Sequence, residues 1–339
     1  MRIVIAVVLF LLLILFHEFG HFIVAKRSGI KVNEFSVGMG PLIFSKVKGE
    51  TTYSFRLIPI GGYCAMEGED DESDDPRSFD NAKASRRFLT ILAGPVANLI
   101  IAVVVFTIVG FISGIVTTEI GEFTENSPAK KVGMDLGDEI RKVGHKDIKE
   151  FVDISNAISD FYKDGDYEKP INVEYYRPST QTLETKEMNV EVKDGNAYIG
   201  IMPARRKPGF FEAIGLGFVE TGKNIKMIFT ILGRLFTGKI ALGALSGPIG
   251  VLKEIGVQAN NGLASLLYFL GYISVNLAVF NLLPIPALDG SKLLASLVEM
   301  ITGKRINKKL EEKITIGGFI VLLALIALVS IKDIMNLFK

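Results

Sequence analysis

Four stretches of the chain are apolar enough and long enough to cross a membrane as helices. They are residues 3–25, residues 88–118, the uncharged run between Glu254 and Asp289, and residues 314–331. A spanning helix needs about 20 predominantly apolar residues, and the fourth stretch is short but sufficient. The pattern therefore predicts a polytopic α-helical membrane protein with about four transmembrane helices.

The first apolar stretch has an alternative interpretation as a cleaved signal peptide. Only Arg2 supplies a positive charge ahead of it, and no small-x-small cleavage site follows the apolar run. The flanks therefore favour a spanning helix.

In two further segments, polar and apolar residues are interspersed in regular patterns. Residues 119–203 contain short strand-like runs such as "INVEYY" (171–176) and "MNVEV" (188–192), which predict a small β-rich domain inserted between spans two and three. Residues 210–236 carry apolar side chains at helical spacing. This helix could lie at the membrane surface or pack on the soluble domain, and its periodicity does not decide between them.

Residues 35–66 form a third unusual segment. Tyr53, Phe55 and Leu57 alternate with polar side chains, which predicts a strand with one buried face. Gly61 and Gly62 suit a turn or a close approach of the backbone to another group. The acidic run that follows, residues 67–75, is typical of a solvated loop.

These patterns divide the chain into four predicted regions. The first, residues 1–118, contains two spans and the β-element, and the second, residues 119–203, is the β-rich insert. Residues 204–253 hold the amphipathic helix, and residues 254–339 form the C-terminal membrane region.

Composition narrows the class of protein. The apolar fraction is 49%, the mean hydropathy is +0.36 and the net charge is +1, so nothing indicates binding to nucleic acid. A single cysteine, Cys64, excludes an intrachain disulfide and a cysteine-rich metal site. The chain has only three histidines, His17, His21 and His145.

Cations in the short loops predict the orientation in the membrane. They flank spans one and two at residues 26–27 and 86–87, and they recur between residues 304 and 313. Short positively charged loops stay in the cytoplasm. With four spans, residues 26–87 and 290–313 are cytoplasmic, and the region 119–253 and both termini lie outside.

The chemistry is concentrated in "FHEFGHF", residues 16–22, inside the first span. On a helix His17 and His21 share one face, with the spacing of two zinc ligands, and Glu18 is placed to act on the water at the metal. A buried polar cluster without metal is the alternative. Metal binding is favoured because unpaired polar groups at membrane depth are costly.

A catalytic zinc usually has three protein ligands, and His145 lies outside the membrane in the β-rich insert. Asp289, after the helix-breaking prolines of "NLLPIPALDG", is the candidate third ligand, although by itself it could be an ordinary helix cap. Asn281 could donate a hydrogen bond to substrate or oxyanion, or it could hold two helices together.

Five motifs in order along the chain resemble the site-2 protease family of intramembrane zinc metalloproteases (peptidase family M50), in particular its bacterial RseP/RasP branch. They are "HEFGH", "IPIGGYCAMEGE", "ILAGPVANLIIA", "LSGPIGV" and "NLLPIPALDG". Two departures, Cys64 where valine is frequent and Ser291 where glycine is commoner, affect no proposed ligand.

The resemblance implies one zinc ion per chain, held by His17, His21 and Asp289, with Glu18 as the catalytic base. It implies that the insert is a single PDZ domain outside the cytoplasm. Asn281 and the membrane-associated β-element at Gly61, Gly62 and Tyr63 are expected to bind the unwound substrate.

The expected activity is cleavage of the transmembrane segments of single-pass membrane proteins that another protease has already trimmed. Anti-sigma factors and remnant signal peptides are the usual substrates of such enzymes, and the bacterial cytoplasmic membrane is the expected location. Two alternatives remain. A catalytically inactive PDZ scaffold conflicts with the intact histidine motif. A zinc transporter is expected to show internal repeats, and the sequence shows none.

Overall fold

The computed structural model describes residues 2–69, 71–193, 195–239 and 247–337. The chain forms two compact units, one made of Met1–Val109 with Phe211–Lys339 and the other of Gly110–Phe210. The motif stretch "LSGPIGV" begins at residues 245 and 246, which lie outside the described residues.

The first unit is mainly helical. Its described helices are α1 (Arg2–Arg27), α2 (Ala84–Ser113), α5 (Phe210–Phe236), α6 (Pro248–Asn260), α7 (Leu263–Leu282), α8 (Asp289–Thr302) and α9 (Lys308–Leu337). The ends of α2 and α5 extend slightly into the second unit.

Four segments of these helices have the length and composition to cross a membrane: Val8–Arg27, Ala84–Ser113, Leu263–Leu282 and Lys309–Asp333. The predicted number of spans is confirmed, but two predicted boundaries are wrong. The second span ends at Ser113 because Gly114, with φ +70°, turns the chain into a strand. The uncharged third run contains the end of α6, then a break at Gly262 (φ +107°), and then α7.

Small residues bring the first two spans together. A Cβ atom on Gly20 of α1 would lie 2.3 Å from the carbonyl oxygen of Ala93 and 2.9 Å from the Cβ of Ala97. A larger side chain at position 20 is therefore excluded unless α1 and α2 separate. This close contact holds the histidine face of α1 against α2.

The helix α5 packs within the membrane unit. Its buried residues are Ala213, Gly217, Thr221, Asn224 and Ile228. A Cβ atom on Gly217 would lie 2.4 Å from Thr107 Oγ1 of α2. Its opposite face exposes large apolar side chains, including Phe211, Phe218 and Phe229.

The β-element consists of β1 (Val32–Lys48) and β2 (Thr51–Met66), which are antiparallel. Residues 34–37 of β1 pair with residues 52–55 on one side and with residues 62–65 on the other. The second half of β1, residues 42–48, covers the far side of residues 51–56. Residues 62–65 therefore form one edge of this small sheet.

The strand predicted at Tyr53 is confirmed, but the expectation that its apolar face is buried is wrong. Ser54 is buried, whereas Phe55 and Leu57 are 47% and 60% exposed. The polar face is covered because Glu34 of β1 accepts hydrogen bonds from Ser54 and Arg56. The apolar face points away from the protein, as suits a lipid-facing surface.

The acidic run after β2 is held by ion pairs, and is more than a solvated loop. Glu67 accepts hydrogen bonds from Ser73, Asn33 and Lys31, which lower its pKa to about 2. Lys292 of α8 donates to Glu69 over 2.8 Å. Residue 70, in the same run, lies outside the described residues.

The second unit is the β-rich insert. Its elements are β3 (Ile115–Phe123), α3 (Pro128–Lys131), β4 (Glu139–Val143), β5 (Lys146–Asp147), α4 (Phe151–Phe161), β6 (Ile171–Arg177), β7 (Thr182–Met188), β8 (Glu191–Lys193), β9 (Asn196–Tyr198) and β10 (Ile201–Arg206). The main sheet has the order β10-β3-β4-β6-β7, with β5 paired to β4. Its core includes Ile140, Ile171, Val173 and Tyr175, all fully buried.

The strand predicted at "INVEYY" is β6, while the one predicted at "MNVEV" is interrupted at Asn189 and Val190, between β7 and β8. The PDZ assignment and the four predicted domain boundaries stay predictions.

Candidate metal centre and active-site cavity

The two motif histidines project from one face of α1 into the protein. His17 and His21 are 7% and 6% exposed, and their Nε2 atoms are 3.2 Å apart. The helical period places these side chains one turn apart, and the contact of Gly20 with α2 keeps them covered.

Asp289 completes the cluster from the other end of the chain. It is the first residue of α8, directly after the turn that follows α7, and Gly290 allows that turn to pack tightly: a Cβ atom there would lie 2.0 Å from the carbonyl oxygen of Leu283. Asp289 Oδ2 is 3.0 Å from His17 Nε2 and 3.4 Å from His21 Nε2. The three candidate ligand atoms all lie within 4.8 Å of one another.

The hydrogen bonds of His21 fix its tautomer. Its Nδ1 lies 2.8 Å from the backbone carbonyl of Thr90, which can only accept, so Nδ1 carries the proton. In the neutral imidazole, Nε2 then presents a lone pair towards Asp289 Oδ2. That oxygen is buried and has no hydrogen-bond partner among the described residues. A lone pair facing a carboxylate oxygen is stable when a cation lies between them, so two imidazoles and one carboxylate fit a zinc site with an open fourth position.

Glycine is required where α2 faces the two imidazoles. A Cβ atom on Gly94 would lie 2.2 Å from His21 Nε2 and 2.9 Å from His17 Cε1. Gly94 therefore leaves room for the two imidazole rings against α2.

The variant Gly94→Ala is expected to lower zinc affinity by at least about 10-fold, because the added methyl group displaces His21 from its position. Chelator competition on the purified full-length chain measures this. Gly233→Ala, in α5, is the matched control, since a Cβ atom there meets nothing within 4 Å. Equal zinc affinity in the two variants would contradict the assignment of these imidazoles as ligands.

Glu18 lies beside the cluster and against the edge of the β-element. The backbone N–H of Cys64 donates a hydrogen bond of 3.1 Å to Glu18 Oε2. A cavity of about 300 Å³ opens onto this site, and its lining includes Ile14, His17, Glu18, Asn98, Leu277, Asn281, Ala287, Leu288 and Asp289. A carboxylate and two amides thus share one cavity with the candidate metal ligands.

The structure brings five of the predicted site residues together: His17, Glu18, His21, Asn281 and Asp289. The other three lie nearby. Gly61, Gly62 and Tyr63 lie on β2 and are not among the residues that line the cavity. Gly62 lies beside Glu18, because a Cβ atom there would lie 4.0 Å from Glu18 Cγ. Gly61 packs on Met39 instead, with φ +83°.

Three residues of α2 at the site received no role from the sequence: Thr90, Gly94 and Asn98. An asparagine in an uncharged span is a signal in itself, because polar groups at membrane depth are rare and usually functional. Asn98 is fully buried and lies 3.3 Å from His17 Nδ1.

Ion pairs hold α8, and therefore Asp289, against the rest of the unit. Arg87 of α2 donates to Glu299 of α8, and Arg305 donates to Asp80. Lys292 in the first turn of α8 donates to Glu69. The start of α8 is thus attached to the segment between β2 and α2, its last turn is attached to α2, and the chain just after α8 is attached to that segment at Asp80.

The variant Arg87→Ala is expected to destabilise the fold by about 3 kcal/mol, because it leaves the Glu299 carboxylate without its ion-pair partner. The Arg87 side chain is only 7% exposed. The midpoint of thermal unfolding in detergent measures the loss. Restoring the pair by exchange, Arg87→Glu with Glu299→Arg, should recover part of it, and a double variant no more stable than Arg87→Ala would argue against the ion pair.

The fold and the site together define a polytopic membrane protein with a candidate mononuclear metal centre. Residues 5–325 match the model of peptidase family M50. A protein of Clostridium acetobutylicum that is named as a zinc metalloprotease is 39% identical, over 98% of this chain and 97% of its own length. A protein of Clostridium perfringens with the same kind of name is 38% identical, over 98% of both chains. The regulator of sigma-W protease RasP of Bacillus subtilis is 30% identical, covering 98% of both chains.

The chain belongs to peptidase family M50. It is a zinc metalloendopeptidase of a membrane, as the resemblance of its motifs predicted, and zinc is its cofactor.

Proposed function

We propose that this chain is an intramembrane endopeptidase in which His17, His21 and Asp289 hold one zinc ion and Glu18 is the catalytic base. The position of the site carries this proposal. His17, Glu18 and His21 lie within the candidate span Val8–Arg27, and Asp289 follows the turn after the span Leu263–Leu282. A peptide bond that reaches this cavity belongs to a segment within or at the edge of the membrane.

The side chains around the cavity have complementary tasks. Zinc, when bound, lowers the pKa of a water molecule and polarises the peptide carbonyl. Glu18 accepts the proton from the attacking water and returns it to the leaving amine. Asn281, on the cavity wall, donates a hydrogen bond to the carbonyl oxygen as negative charge develops there.

The edge of the β-element is suited to hold the substrate extended. A helical substrate hides its carbonyl groups in hydrogen bonds, so it must unwind before hydrolysis. Residues 62–65 form a sheet edge beside Glu18, and the Cys64 N–H points out of the sheet towards that carboxylate. A substrate segment that adds as a strand along Gly61, Gly62 and Tyr63 would lie next to the catalytic base.

The β-rich insert is proposed to be a PDZ domain that selects substrates outside the cytoplasm. The strand β10 ends the order of its main sheet, so one edge of β10 has no neighbouring strand among the described residues. An edge strand can bind an extended peptide. Such a domain would favour single-pass substrates that another protease has shortened, including anti-sigma factors and remnant signal peptides.

The proposed location is the bacterial cytoplasmic membrane, with the exposed faces of the spans in contact with lipid. The cation-rich loops support a cytoplasmic location of residues 26–87 and 290–313, with the insert on the opposite side. The outward apolar face of β2 is consistent with a β-element that touches the bilayer.

Membrane proteomics tests the proposed substrate class. Cells that carry Glu18→Gln in place of the wild-type chain are expected to accumulate short membrane fragments, each with one span and a trimmed extracytoplasmic end. Accumulation of intact single-pass proteins with full ectodomains would contradict the need for earlier trimming. An unchanged membrane proteome would contradict cleavage of transmembrane segments.

A further inference from the structure

Asn98 occupies an unusual position on α2. It is 0% exposed, it lines the cavity with His17 and Asn281, and its backbone carbonyl accepts a hydrogen bond of 2.8 Å from Ser274 Oγ of α7. The amide side chain has one end 3.3 Å from His17 Nδ1. The other end is buried and has no hydrogen-bond partner among the described residues.

The proton on His17 decides which end of the amide faces it. If His17 Nε2 binds zinc, as in the proposed function on which this inference rests, the neutral ring carries its proton on Nδ1. His21 shows the same arrangement, with Nδ1–H donating to the Thr90 carbonyl. The group that meets His17 Nδ1 must therefore be an acceptor.

The two ends of an amide have nearly the same shape, so the hydrogen-bond network decides which atom is oxygen and which is nitrogen. The end near His17, placed as Nδ2, must then be the carbonyl oxygen Oδ1 of Asn98. The NH2 group then takes the buried position at which an oxygen finds no donor among the described residues. Because Asn98 lines the cavity, this NH2 group can donate a hydrogen bond to an acceptor that enters it.

We propose that Asn98 performs two tasks. Its carbonyl oxygen accepts from His17 Nδ1–H and so positions that ligand, and its NH2 group donates a hydrogen bond to a backbone carbonyl of the substrate in the cavity. Asn98 is thus a positioning residue for the metal centre and a binding residue for the peptide backbone, and it lines the same cavity as Asn281.

The two tasks separate in two variants of the full-length chain. Asn98→Asp keeps an acceptor for His17 and removes the donor, whereas Asn98→Ala removes both. Asn98→Asp is expected to keep wild-type zinc affinity in chelator competition but to lose about 100-fold in kcat for peptide hydrolysis. Asn98→Ala is expected to lose, in addition, about 10- to 100-fold in zinc affinity.

Asn276→Ala is the matched control. Asn276 is also an asparagine of a spanning helix, α7, and its amide donates to the Tyr272 carbonyl of that same helix. It should keep both zinc affinity and kcat. Wild-type zinc affinity in Asn98→Ala, or equal losses of zinc in Asn98→Asp and Asn98→Ala, would overturn the positioning role. A wild-type kcat in Asn98→Asp would overturn the donor role.

A different result identifies a failure of the proposed function itself. If His17→Ala binds zinc as tightly as the wild-type chain, His17 is not a ligand, and its ring no longer requires an acceptor from Asn98. If His17→Ala loses zinc while Asn98→Ala retains it, only the inference about Asn98 is wrong.

Discussion

Replacement of Glu18 by glutamine is expected to lower kcat for peptide hydrolysis by about 10²–10⁴-fold while zinc remains bound. Glutamine has the same shape as glutamate, and its carbonyl oxygen can still accept the hydrogen bond from the Cys64 N–H. It cannot accept a proton from water. The measurement is single-turnover cleavage of a single-pass substrate by the purified chain, together with its zinc content.

Glu254→Gln is the control for this variant. Glu254 is a glutamate of the same unit, on α6, and its carboxylate accepts from Gln258 rather than lining the cavity. It should keep full activity. If Glu18→Gln cleaves at the wild-type rate in the purified system, the role of Glu18 as base is wrong. If neither the variant nor the wild-type chain cleaves any single-pass substrate while both bind zinc, an inactive scaffold explains the chain better.

Replacement of Asp289 by alanine is expected to abolish activity and to reduce zinc affinity by at least about 100-fold, because it removes one of three ligands. Asp289 Oδ2 is the point on which both imidazole Nε2 atoms converge. Zinc content after dialysis and chelator competition measure the loss. A variant that keeps zinc would show that the third ligand lies elsewhere.

Asp333→Ala separates loss of a ligand from loss of structure. Asp333 is also buried, and its Oδ2 accepts hydrogen bonds from the backbone N–H groups of Gly247 and Gly250 at the start of α6. Its replacement should lower thermal stability and leave zinc affinity unchanged. Equal zinc loss in both variants would mean that Asp289 acts through the fold.

The sequence alone predicts the three candidate ligands, because helix geometry and the cost of polar groups in a membrane both constrain them. The helical period fixes the relation of His17 to His21, and the hydrocarbon environment makes unpaired polar groups there costly. Asp289 follows from the scarcity of histidine and from the prolines that end α7 before it. None of these relations depends on which helices pack together.

Tertiary packing decides what the sequence does not predict. The roles of Thr90, Gly94 and Asn98 depend on which face of α2 lies against α1, and no periodic pattern marks that face in the uncharged part of α2 after Arg87. The break before α7 had a local turn signal in Gly262, but the predicted span was defined by its lack of charge alone.

The β-element shows a second kind of limit. Alternation of Phe55 and Leu57 with polar residues predicts a strand but assigns the apolar face to a protein core. In a chain that borders lipid, the apolar face can point outwards while Ser54 and Arg56 are satisfied by Glu34 within the sheet. Burial on a strand therefore follows polarity only when the surrounding solvent is water.

The zinc ligand set is tested most directly by X-ray absorption at the zinc edge of the purified full-length chain. The expected first shell has two imidazole nitrogens at about 2.0–2.1 Å and carboxylate or water oxygens at about 2.0–2.2 Å. The His17→Ala chain, reloaded with zinc, should lose one imidazole from that shell. A sulfur neighbour at about 2.3 Å, which only Cys64 or a methionine could supply, or a shell unchanged by His17→Ala, would contradict a centre built from His17, His21 and Asp289.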